Sequence, residues 1–466
     1  MMLAASAFGL ALAVSSSASA NGRFPQSNAI VFSPHDPNLV VTRATFGLLI
    51  SHDDGVTWPW VCESAIGFSA QEDPSYGLTE ADALVGGLWE GVSVSPDTGC
   101  NWAFAGGALA GAHITDLVVR VDDPHTVLVL TGTWIPSAPA PEGGDIYYQS
   151  QVFESTDDGA HWSALGVPID PSVTVSTLEV APSDPTRLYV SGTRGSGAGL
   201  TGQLFVSTNS AASWTERAVP LIPSSESGFY IGAVDPTNSD LVYLRTDSQS
   251  RLLVTTNAGE SFQVSSFVGA DGGTATSLTG AMYGFAISPD GSKIYAGGTG
   301  GDGLFVGARG GTNLVHQSDI DVDCLAARLA PMTETTELWA CSDQTSGFVV
   351  GVSTDDGVTF TPKFQLNQVD GVLECSAEAS AASCEAQYPA QCKVLRGCAG
   401  SDGGEDGGVG AGEARGTPDD AQAGTDRAPG VARSSCGCSV AGGTIEAWFV
   451  AFAAGALALL RRRRRV

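Results

Sequence analysis

The chain has 466 residues, with 50 Asp and Glu against 22 Lys and Arg and a formal net charge of −28. Five of the basic residues crowd the C-terminus, so residues 21 to 438 carry 17 Lys and Arg against 49 Asp and Glu. Nucleic acid and anionic membrane surfaces need a basic footprint and are excluded as partners of this region, whereas such acidity suits solubility outside the cell.

The chain opens on "MMLAASAFGLALAVSSSASA", an apolar run closing in Ala18-Ser19-Ala20. That small-x-small ending reads as a leader, residues 1–20, cleaved before Asn21, although no basic segment precedes it. Beyond it one eight-residue frame recurs: "SHDDGVTW" from Ser51, "SPDTGCNW" from Ser95, "STDDGAHW" from Ser155, "STNSAASW" from Ser207, "TTNAGESF" from Thr255 and "STDDGVTF" from Ser353. The starts are 44, 60, 52, 48 and 98 residues apart, and the double interval holds a degenerate copy, "GARGGTNL" from Gly307, which keeps Gly311 and puts a leucine in the aromatic slot. Seven copies at a period near 50 residues mark a repeat architecture.

The third position of the frame is Asp53, Asp97, Asp157, Asn209, Asn257 or Asp355, a side chain that accepts hydrogen bonds from turn N–H groups. The fifth is Gly55, Gly99, Gly159, Gly259 or Gly357, which takes a positive φ without a steric cost; one copy departs, with Ala211. The last is a ring, Trp58, Trp102, Trp162, Trp214, Phe262 or Phe360, left to pack between sheets. Each frame is preceded by a short apolar stretch around a Pro/Asp turn, such as "HDPNLVV", "DDPHTVLVL" or "SDPTRLYV". Every repeat therefore reads strand, turn, strand, loop, strand, box, strand. Four short strands per repeat and no helical periodicity predict an all-β fold, a seven-bladed β-propeller over residues 21–365.

These frames resemble the Asp-box, or BNR, repeats of sialidases, sortilin-type receptors and photosystem assembly factors, over roughly residues 28 to 365. The resemblance implies that the boxes are structural turns on the rim, remote from any ligand. A calcium loop is the losing alternative, because "STDDG" lacks the downstream ligands, and neither a metal nor a cofactor is expected. A sialidase-type site would need three arginines, a Tyr/Glu pair and an Asp acid. The early "RIP" arginine motif of that family is missing, with only "GRFP" at Gly22 to Pro25 faintly similar. Two-carboxylate hydrolysis needs acids flanking one bond, and no pair is marked among so many. The six histidines are scattered along the chain, with no Ser/His/Asp motif and no phosphate loop, so no catalytic residue is assigned.

If the boxes join the third and fourth strands, the loops between second and third strands share the opposite face with the links between blades. That face carries the long insertions "ESAIGFSAQEDPSYGLTE" from Glu63, "GTWIPSAPAPEGGDIYYQSQ" from Gly132 and "GTRGSGAGLTGQ" from Gly192. Trp134, Tyr147, Tyr148 and Tyr76 are candidate stacking platforms, with Glu142, Asp145 and Arg194 as polar neighbours. Packing of each ring onto its own blade is the competing reading.

Ten cysteines in an exported chain favour disulfides. Cys324 and Cys341 flank a hairpin turning near Met332 and Thr333, and we expect them to pair. Cys375, Cys384, Cys392 and Cys398 fall after the last blade and suggest a small two-disulfide module, residues 366–398, with a helical stretch in "AASCEAQYPAQCKVL". Cys62 and Cys100, near the first two boxes, are placed to bridge blades 1 and 2, although spacing alone fixes no connectivity. Residues 399–435 are acidic and Gly-rich with no large apolar residue except Val, the composition of a disordered stalk. Residues 436–466, "CGCSVAGGTIEAWFVAFAAGALALLRRRRRV", join a Cys motif, a short apolar helix and an Arg cluster. That order resembles the myxobacterial C-terminal sorting tail, which implies recognition by sorting machinery and processing at Cys436 or Cys438. An ordinary transmembrane anchor is the alternative, the length being marginal for a span and the arginines holding the end in the cytoplasm.

The reading is an exported propeller, held at the cell surface or outer membrane and meeting the membrane only through its tail. It is expected to be a non-catalytic binding or scaffold module for an extracellular glycan, protein or matrix component. The alternative is a secreted glycoside hydrolase, sialidase-like or another BNR-repeat type, with a divergent site.

Overall fold

Seven antiparallel sheets follow one another along the chain in a computed structural model that describes residues 25–68, 72–134 and 148–395. Blade 1 consists of Ser27–Phe32, Val40–Ala44, Gly47–Ser51 and Trp60–Val61, paired in that order; blade 7 consists of Cys324–Leu329, Thr336–Cys341, Val350–Ser353 and Thr361–Phe364. The first strands of successive blades lie side by side around an axis, and the first strand of blade 7 returns to that of blade 1, which closes a seven-bladed propeller. Middle strands such as Gly47–Ser51 and Leu84–Leu88 are buried throughout, because each sheet is covered on both faces by its neighbours. Trp58, Trp339, Tyr189, Tyr243 and Tyr295 are the largest of the fully buried side chains.

The boxes occupy the turns between third and fourth strands. The fourth residue of the frame donates its N–H to a carbonyl in the first-to-second turn of the same blade, as in Asp54 to Asn38 (2.9 Å), Asp158 to His125 (3.0 Å) and Ala258 to Asp240 (2.9 Å). Both sets of turns therefore share one face, and the remaining loops and interblade links form the other. Blade 6 departs from the pattern. Its turn, from Ala308 to Asn313, is shorter, and the positive φ falls on Gly310 (69°) instead of Gly311. Leu314 is buried in the outer strand, to which a hairpin of Ser266–Val268 and Thr274–Ala275 adds in parallel.

Cys324 and Cys341 are register partners and are bonded. The other pairings differ from expectation. Cys62 bonds Cys384 and Cys100 bonds Cys375, so Cys62 and Cys100 do not bridge each other and Cys375 and Cys384 close no separate module. The cause is ring closure, which returns the segment after blade 7 to blades 1 and 2. Val372 forms a parallel bridge with Trp60, Leu373 N–H donates to the Trp60 carbonyl (2.9 Å), and Ala381 N–H donates to the Cys100 carbonyl (3.0 Å). The helical stretch forms as Ser380–Ala386, a 3-10 helix, and Tyr388–Val394, an α-helix with Pro389 in its first turn. Cys392 is also disulfide-bonded. The leader, Cys398, the stalk and the tail with Cys436 and Cys438 lie outside the described residues.

Candidate functional site

The box acids are consumed by their own turns. Asp53 accepts from the Ser51 hydroxyl (2.8 Å), the Thr57 N–H (2.8 Å) and the Thr57 hydroxyl (2.8 Å), while Gly55 N–H donates to Ser51 Oγ (2.8 Å). The backbone bonds recur in the other boxes, while the side-chain partner varies: the Thr359 hydroxyl for Asp355, the Asn101 amide for Asp97, the His161 ring for Asp157, and for Asn209 and Asn257 the Ser213 and Ser261 hydroxyls, to which the amides donate. The fourth and fifth residues both adopt left-handed backbone, as in Asp54 (58°) and Gly55 (79°), and this is the local reason for the Gly slot. The ring caps the turn: the indole N–H groups of Trp58, Trp102 and Trp162 donate to the carbonyls of Gly55, Gly99 and Gly159. Hydrogen bonding to the ionised form holds these acids low, and Asp355 sits at about 2, chiefly through the Thr359 hydroxyl and then the Thr359 N–H. These bonds hold the acids within their own turns. Among the described residues no cluster of three or more His, Cys, Asp or Glu is placed to hold a metal, and no helix is long and apolar enough to cross a membrane.

The opposite face holds an open depression around the axis. One lobe, of about 210 Å³, is built by the link into blade 2 (Glu72, Asp73), the turn after Leu88 (Trp89) and the link into blade 3 (His113), and it reaches Tyr230 of blade 5. The other, of about 220 Å³, shares Tyr230 and is lined by Arg245, Asp247, Met282 and Tyr283. Trp89 and Glu90 form a two-residue turn between register partners Leu88 and Gly91. The Trp89 ring is 50% exposed and stacks on His113, with centroids 5.7 Å apart.

Below that platform Glu72 is buried and accepts from the Trp89 N–H (3.0 Å). Burial pushes its carboxyl up to about 7, and the neighbouring carboxylates Glu90 and Glu63 push the same way. Burial also holds His113 below the usual imidazole range. Deeper along the inner strands Asp116 accepts from the Ser75 hydroxyl, Leu117 N–H and Leu178 N–H, each at 2.9 Å, and burial raises it to about 6. Glu179, beside the hollow at the box-face end of the axis, rises to about 8 through burial and then the charge of Asp116. The site thus offers a flat aromatic surface, a buried carboxyl raised toward neutrality, and acceptors at the rim.

Other residues singled out in the sequence sit elsewhere. Trp134 and Tyr148 are register partners at the end of the long hairpin of blade 3, and Tyr148 is half-buried with its N–H on the Pro171 carbonyl (2.9 Å). Tyr147, Glu142 and Asp145 lie outside the described residues. Arg194 is engaged in blade 4 by Glu216 (2.7 Å), Asp170 (3.2 Å) and the Ser172 hydroxyl (2.9 Å). Tyr76 is no open platform, because it packs edge-on to Trp102 with centroids 6.4 Å apart. Trp89, Glu72, His113 and Arg245 share no sequence pattern, since they come from blade 2, the links on either side of it, and blade 5. One signal was available: an aromatic ring in a two-residue turn, where Gly, Asn or Asp is usual.

No protein-family model matches the chain. No curated protein matches it. Among solved structures it is similar to an ancestral GH74 enzyme, at 15% identity and a TM-score of 0.54, over 77% of this chain and 49% of that one. The chain therefore spans about half the length of that enzyme. A GH74 enzyme of Niastella koreensis (14% identity, TM-score 0.40, 72% of this chain and 65% of that one) and the Cps50 (Swd1) β-propeller domain of Myceliophteria thermophila (11%, 0.44, 71% and 97%) follow. The likeness to the ancestral enzyme is one of fold.

Proposed function

We propose that the chain is an exported propeller of the Asp-box kind that acts as a non-catalytic binding module, taking an extracellular glycan at the loop-face depression beside Trp89. The observation that carries this reading is the half-exposed Trp89 ring, stacked on His113 with its backbone N–H on the buried Glu72 carboxylate. A rigid indole offers a large apolar face, and the carboxyl oxygens around it accept hydroxyl donors. In this reading the leader, the acidic stalk and the C-terminal tail, processed by sorting machinery at Cys436 or Cys438, hold the propeller at the cell surface or outer membrane.

Hydrolysis is the competing reading. Glycoside hydrolases hold their two carboxyl groups about 5 Å or more apart so that a glycosidic bond fits between them. Under that reading Glu72, raised to about 7 by burial, is the acid to start from. The test is to measure, for the native protein and Trp89→Ala, both binding to and new reducing ends released from a panel of polysaccharides and sialoglycans. Binding without release, lost in Trp89→Ala, is the expected result. Release from any substrate would make the chain a glycoside hydrolase; binding only to a protein, or binding indifferent to Trp89, would move the site.

A further inference from the structure

Seven described arginines meet a carboxylate within 3.2 Å. Arg245 does not. It lines the second lobe of the depression, and among the described residues no carboxylate stands within ion-pair reach of its guanidinium. Its Nη1 donates to the Met282 carbonyl (2.8 Å), and the guanidinium lies over the ring of its register partner Tyr230, with Cζ 4.9 Å from the centroid. Asp247, in the same lobe, is turned to other donors, the Ser227 hydroxyl (2.5 Å) and the Ser248 N–H (2.8 Å). Asp116, whose charge also reaches Arg245, is held by Ser75, Leu117 and Leu178.

A largely buried cation without an ion-pair partner is costly, and one carbonyl, one ring face and the more distant charges of Asp247 and Asp116 offset only part of that. Burial accordingly lowers the Arg245 pKa. Its remaining N–H groups keep the planar fork that suits a carboxylate. Tyr283, 55% exposed, forms the rim of this lobe, and Tyr230 joins it to the lobe of Trp89.

We propose that Arg245 is a subsite for a single carboxylate, and that the glycan bound at this face carries a uronic-acid-type sugar placed over Tyr230 when a neighbouring sugar stacks on Trp89. This rests on the binding reading above. A polyanion is a poor occupant, because Glu72, Asp73 and Asp247 line the same depression and the surrounding chain is strongly acidic.

The test uses the full chain and a panel of uronic-acid oligosaccharides, each offered as the free acid and as its methyl ester, with affinities taken by calorimetry. A free-acid preference of about tenfold or more is expected for at least one oligosaccharide. Arg245→Met should abolish the preference, Arg245→Lys should keep part of it, and Trp89→Ala should weaken acid and ester alike. Tyr283→Ala, a rim change that leaves the fold intact, should weaken binding if Arg245→Met fails to fold. Equal binding of acid and ester, or a preference that survives Arg245→Met, overturns the subsite while leaving the binding reading in place. Binding of neither form overturns both. Preference for a peptide with a free C-terminal carboxylate over its amide, with no sugar bound, overturns the glycan as the source of the acid.

Discussion

The two faces of the propeller treat the same side chain in opposite ways. On the box face the carboxylates accept three or four hydrogen bonds each within eight residues of chain, which holds Asp355 at about 2 and lowers Asp157, chiefly through His161. At the mouth and along the axis burial dominates, so that Glu72, Asp116 and Glu179 rise to about 7, 6 and 8. The acids that carry a sequence pattern are therefore the inert ones, and the acids open to useful chemistry carry none. The charge presented around the axis at neutral pH is correspondingly smaller than a count of acidic residues suggests.

This contrast can be broken most forcefully at Glu179. Its pKa in the folded chain lies above the ordinary 4.5, so its contribution to stability is complete below pH 4.5 and is lost as the pH rises through about 8. Glu179→Gln should remove that loss and stabilise the protein at pH 9 by a few kcal/mol, on the order set by a shift of this size. Urea unfolding at pH 5 and pH 9 checks it, and equal pH slopes in the two proteins would refute the assignment. Next in size is a box acid: Asp53→Ala strands the turn donors of Ser51 and Thr57 and should cost about 2 kcal/mol at pH 7. Asp355→Asn probes the opposite pH limb. The Asp355 carboxylate lies below the ordinary 3.8, so its stabilisation is present above pH 3.8 and disappears as the pH falls through about 2, where native and variant melts should converge. The smallest effect belongs to Ala211, which holds a φ of 61° where its counterparts are glycine; Ala211→Gly should change stability by no more than about 1 kcal/mol, in the stabilising direction.

The blades were legible because each box is a local device. Two successive left-handed residues, a hydroxyl at position one and an Asp or Asn at position three are needed within one turn, so the frame declares the hairpin and its spacing declares the repeat. Blade 6 blurred because its shorter turn replaces that device. Arg309 stands there instead, paired with the buried Asp235 of blade 5 (2.6 Å). The disulfide partners of Cys62 and Cys100 were illegible for a different reason. They are 322 and 275 residues away and become neighbours only when the ring closes. The depression combines both difficulties, since Trp89 and Arg245 lie in different blades and meet around an axis that no stretch of sequence contains. The long loops drew attention away from the short "WE" turn that supplies the platform.

Because every blade is built from contiguous chain, no strand among the described residues is exchanged across the seam between blades 7 and 1. The covalent route past that seam is Cys384 to Cys62 and Cys375 to Cys100. A pull on the chain from its C-terminal side therefore meets Cys384 and Cys375 before any strand of blade 7, and the tension passes into blades 1 and 2 through sulfur. Such a pull spares the seam the load, and the hydrogen bonds of the last blade need not bear it. With the chain tethered at its C-terminal side, as proposed above, the two disulfides would serve as strain relief, like the knot that keeps a pulled cable from its terminals.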